Sequence, residues 1–113
     1  MYTDEQLSNM RFDFSRALEE VVRQIDASYG DKQKLQDAYE ELDRERSKMS
    51  SVVWQLSHDS IWNESFTLAY NAVDEAALYL SFATGGSDLD RPSNMATAKE
   101  HLFRAVQALA MPT

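Results

Sequence analysis

The sequence predicts an all-α fold, an antiparallel bundle of three to four helices forming a single domain over residues 1–113. Two observations carry that prediction. Apolar residues recur at alternating three- and four-residue spacing in four separate stretches, the period of a helix with one buried face. Short segments rich in Gly, Asp, Ser and Pro divide those stretches, and no run alternates with the two-residue period of a strand. Face-to-face packing of neighbouring helices is the arrangement that buries such stripes, and 113 residues suffice for one core.

The first helix opens at Thr3. Thr3-Asp4-Glu5-Gln6 fits the capping box, in which the cap and the third helical residue satisfy each other's backbone donors. Asp4 and Glu5 suit the positive end of the helix dipole. Leu7, Met10, Phe14, Leu18, Val21 and Ile25 then line one face, and Gly30 is placed to end the helix.

Asp31 can cap a second helix with the seam Leu35, Ala38 or Tyr39, Leu42, Met49, Val52 or Val53, and Leu56. The seam has a polar hole. The position expected between Leu42 and Met49 falls on Glu45 or Arg46, inside a charged run from Lys32 to Lys48. Pairing of Glu40 with Arg44 and of Asp43 with Arg46 can support the exposed face. The run is expected to stand off the core or to meet a second chain. Ser57-His58-Asp59-Ser60 breaks the phase and predicts a kink, with one continuous helix as the alternative.

The third segment, Asn63 to Ala83, is apolar on more than half its circumference and is expected to be the most buried. Phe66, Tyr70, Val73, Ala77 and Leu80 form one stripe; Ser65, Ala69, Ala72, Ala76 and Ala83 form another, small enough for close helix approach. Thr84 to Asp88 ends it. A last helix begins between Asp90 and Ser93, since Pro92 is tolerated only in a first turn, and buries Met95, Ala98, Leu102, Val106 and Leu109.

Eleven bases and nineteen acids give a net charge of −8, and no Lys or Arg occurs between Lys48 and Arg91. A field of that sign repels phosphate backbones and attracts basic surfaces, so direct nucleic-acid binding is not expected. The absence of cysteine removes disulfides, thiol nucleophiles and zinc–thiolate sites. An acidic N-terminus and the lack of a long apolar run predict a cytoplasmic protein without a membrane span.

Catalytic motifs are missing. There is no Walker A loop, dinucleotide fingerprint, HExxH or nucleophile elbow, and no Glu-x-x-His pairs of a di-iron bundle, so no cofactor or metal is expected. His58, beside Asp59 and near Glu64, could be drawn as a general base, but a polar kink accounts for the same residues. His101 flanks the last apolar stripe, where partial burial accounts for it.

The expected function is therefore a non-enzymatic helical interaction module that binds a protein partner, of basic character, through an acidic and aromatic surface. Phe12, Trp54, Trp62 and Phe103, placed off the core stripes, are its expected anchors, with Asp74, Glu75, Asp88 and Asp90 as its acids. A homodimer is expected, with Arg44 or Arg46 of one copy meeting Glu41 or Glu45 of the other. The alternatives are an acidic decoy that inhibits a nucleic-acid-handling or defence protein, and a small enzyme using His58 with Asp59 or Glu64.

Overall fold

The computed structural model describes residues 2–110, which form four helices: α1 (Asp4–Ser28), α2 (Lys32–Gln55), α3 (Asn63–Gly85) and α4 (Arg91–Ala110). Thr3 caps α1 through the expected capping box: the Gln6 amide donates to Thr3 Oγ1 at 3.1 Å and the Thr3 amide donates to Gln6 Oε1 at 2.8 Å. The helix ends in a left-handed residue, but that residue is Tyr29 rather than Gly30, which is left-handed in its turn. Asp31 caps α2 by accepting from the Lys34 amide at 3.0 Å.

Two breaks are built from hydroxyls and a glycine. After Gln55 the chain leaves the helix, and the turn before α3 is held by the Asp59 amide donating to Ser57 Oγ at 3.2 Å and the Trp62 amide donating to Ser60 Oγ at 3.2 Å. The second and third helices are thus separate, and the continuous alternative fails. At the end of α3, a Cβ on Gly86 would lie 2.6 Å from the Phe82 carbonyl oxygen, so the tight exit needs glycine there. Pro92 stands in the first turn of α4.

Each helix packs on its neighbours in sequence, and α4 closes the ring against α1; the interface between α3 and α4 is the most extensive. That closeness follows from the small stripe, since Ser65, Ala69, Ala76 and Ala83 are all buried. Across the diagonal, Phe14 of α1 meets Phe66 of α3 edge to face with ring centroids 6.2 Å apart. The bundle is elongated, 45 × 20 × 19 Å.

The charged run of α2 does not stand off this core. Leu35, Ala38 and Leu42 are fully buried, and the seam residue between Leu42 and Met49 is Glu45, itself only 6% exposed. The core register therefore persists through the polar hole.

Candidate functional site

The structure disperses most of the surface expected from sequence. Trp54 is 86% exposed on α2, nine residues from buried Glu45 and hence about 180° round the helix, pointing directly away from the core. Phe12 is half exposed on α1, with the Arg11 guanidinium 4.6 Å from its ring centroid. Phe103, also half exposed, lies one turn beyond Lys99. The Lys99 ammonium reaches Asp26 of α1 at 2.6 Å, so Phe103 belongs to the α1 side of α4.

Trp62 is not a surface anchor but a core residue, 7% exposed, set edge to face on Phe66 at 6.3 Å and covered by the Arg11 guanidinium at 5.2 Å. The reason is its register. It lies four residues before Phe66, so the inward stripe of α3 simply starts one turn earlier.

The four acids do not form one unbalanced patch. Asp74 and Glu75 are exposed midway along α3, whereas Asp88 and Asp90 lie beyond its end, on the order of 20 Å further along the bundle. Tertiary folding also brings bases to a segment that has none of its own. Arg46 of α2 donates to Asp74 at 3.1 Å, and Asp88 is paired with Arg91 and, at 3.7 Å, with Lys32. Hydrogen bonding from Arg91, reinforced by the positive charges of Arg91 and Lys32, holds the Asp88 carboxyl below the usual carboxylate range. Glu75 has no ionic partner among the described residues.

The charges of α2 likewise find partners within the chain. Arg44 pairs with Glu41 rather than with Glu40, Arg46 pairs with Asp43 as well as Asp74, and the Lys48 ammonium lies 3.0 Å from Glu45 Oε2.

What the fold does gather was missed in the sequence. On α3, Leu68, Leu78 and Phe82 point outward and are 44%, 46% and 45% exposed. So α3, which carries the most buried residues of the four helices, is nonetheless open along its outer face. Its apolar excess was legible, but the sequence does not show that a four-membered ring covers only two flanks of each helix.

Beside this face runs a groove walled by Leu68, Ala72 and Glu75 on α3 and by His101, Arg104 and Gln107 on α4. At its upper edge Tyr79 stacks on His101 at 5.6 Å and meets Phe82 edge to face at 5.9 Å. Glu75 and Arg104 thus stand on opposite walls, with Arg104 engaged at 2.6 Å by Glu100 of its own helix.

Nothing comparable assembles around His58. It is exposed in the turn between α2 and α3, and among the described hydrogen bonds none joins it to Asp59 or Glu64. Among the described residues no group of three or more His, Asp or Glu side chains is placed to hold a metal ion, and no helix is long and apolar enough to cross a membrane.

The chain matches no protein-family model, and no curated protein or solved structure is detectably similar to it.

Proposed function

We propose that this chain is a non-catalytic helical interaction module whose docking face is the outer surface of α3 with the adjoining groove of α4, and that its first occupant is a second copy of itself. The observation that carries this reading is the half-exposed Leu68, Leu78 and Phe82 on the helix that is otherwise richest in buried residues, on the face that also exposes Asn71 and Glu75. Single exposed apolar residues are ordinary; three large ones on one helix, beside a groove and interleaved with polar residues, suit an interface of mixed character.

Charge complementarity favours self-association. A two-fold axis through the groove exchanges its walls, so Glu75 of each copy meets Arg104 of the other, giving the unpaired acid its cation twice over. Leu68 to Phe82 span about 21 Å along α3, across a bundle about 20 Å wide, so the α4 wall of the groove has to contribute as well to approach the roughly 800 Å² that each partner gives to a stable interface.

Partners of basic character are proposed to use the same face, drawn by the net charge of −8. The α2 charges Glu41, Arg44, Glu45 and Arg46 are proposed to act within the chain instead, where each has a partner.

A charge swap tests the arrangement. Glu75→Arg should dissociate the dimer by setting like charges together, and Glu75→Arg combined with Arg104→Glu should restore it. A dimer indifferent to Glu75→Arg would place the interface elsewhere.

A further inference from the structure

We infer that the end of the bundle where α1 and α3 begin and α2 stops is a docking surface for an arginine-bearing segment of a partner protein. Trp54 is its aromatic platform, and Asp4, Glu5, Asp59 and Glu64 are its carboxylates. The inference does not depend on the α3–α4 face, which runs along the side of the bundle.

The topology gathers these residues. Successive helices joined by short turns run antiparallel, so the starts of α1 and α3 and the ends of α2 and α4 share one end. Arg11 of α1 against the Trp62 ring at 5.2 Å, and Ser65 of α3 bonded to Ala108 of α4, mark that end. It is only 20 × 19 Å across. Two large apolar side chains are open there, Trp54 at 86% exposed in the last turn of α2 and Ile61 at 61% in the turn that follows.

Charge decides what such a surface takes. Within about 9 Å of the helix ends, residues 2–10, 49–68 and 105–110 carry Asp4, Glu5, Asp59 and Glu64 and no Lys or Arg. All four acids are exposed, and none enters an ion pair among the described residues. Arg11, just above them, turns its guanidinium onto the rings of Phe12 and Trp62 instead. The opposite end differs, since Lys32 and Arg91 meet Asp88 there and Lys99 meets Asp26. Helix dipoles do not redress the balance: the positive ends of α1 and α3 are offset by the negative ends of α2 and α4 beside them. Carboxylates without internal cations, around an open indole face, match a guanidinium, which stacks flat on an aromatic ring and donates to carboxylates at its edge. Ile61 receives an apolar residue of the same segment.

The experiment titrates the acetylated, amidated hexapeptide Arg-Leu-Arg-Arg-Leu-Arg, about 20 Å long when extended, into the full chain and follows nitrogen–proton correlation NMR. Saturable shifts of the Trp54 indole N–H and of the amides of residues 4–5 and 57–64 are expected, and none from the peptide with Gln in place of Arg. The lysine counterpart should bind several-fold more weakly, because an ammonium does not stack flat on an indole. Trp54→Ala should weaken binding about two- to fivefold, the equivalent of an exposed cation–π contact. Asp59→Lys combined with Glu64→Lys should weaken it at least about tenfold and flatten its salt dependence. These positions are exposed, so the helical circular-dichroism spectrum should be kept. Phe82→Glu should bind the peptide as the parent does, which separates this end from the α3 face. No saturable shifts in the parent, equal binding of the lysine or glutamine peptide, full affinity in Trp54→Ala or in the charge reversal, or loss of binding in Phe82→Glu would overturn the inference.

Discussion

The Ser65 hydroxyl donates a buried hydrogen bond of 2.6 Å to the carbonyl oxygen of Ala108, joining the start of α3 to the end of α4. In a helix that carbonyl would accept from the amide four residues on, but residue 112 is proline and has no N–H to give. Ser65 therefore satisfies an acceptor that the sequence of α4 itself leaves without a donor.

Ser65→Ala should destabilise the bundle by about 1–3 kcal/mol, the cost of leaving a buried carbonyl unpaired, with little change in volume. Denaturant unfolding would measure it. An unchanged midpoint would mean that the carbonyl finds water or another donor.

Glu45→Leu should stabilise the protein by about 1–3 kcal/mol, because an apolar side chain completes the α2 seam where a buried carboxylate, paired only with an exposed lysine, now stands. A loss of stability would show that the Glu45–Lys48 pair contributes more than an apolar side chain does at the same position.

Asp88 sets a pH dependence whose sign follows from its depressed pKa. A carboxylate held below its unfolded value contributes stability above that value, and the contribution is lost as pH falls through the folded one. Asp88→Asn should therefore lower the melting temperature at neutral pH, and the difference from the parent should shrink in strong acid. Because the carboxylate is exposed, the effect should be small and weaker in high salt. A difference that grew on acidification would contradict the Arg91–Asp88 pairing.

The helices and their buried faces were legible in the sequence because periodicity reports directly on which side of a helix is dry. Thr3, Asp31 and Pro92 marked helix starts through local chemistry that needs no tertiary context. Trp62 was misplaced because the break before α3 hid its register with Phe66, four residues on.

The charge map was less legible. The interval without bases looked like an acidic field, yet Arg46, Lys32 and Arg91 are carried to Asp74 and Asp88 by the packing of α2 on α3 and by the turn into α4. Pairings over 28 or 56 residues leave no periodic trace. The open face of α3 was hidden for a related reason: Leu68, Leu78 and Phe82 lie outside both stripes read for the helix, and only the ring of four helices shows that they stay nearly half exposed.

Self-association through α3 is tested most directly by sedimentation equilibrium of the parent chain and of Phe82→Glu across the micromolar range. The proposal predicts twice the monomer mass for the parent and monomer mass for the variant, with the helical circular-dichroism spectrum of both unchanged. Monomer mass for the parent throughout, or an equally stable dimer in Phe82→Glu, would contradict it.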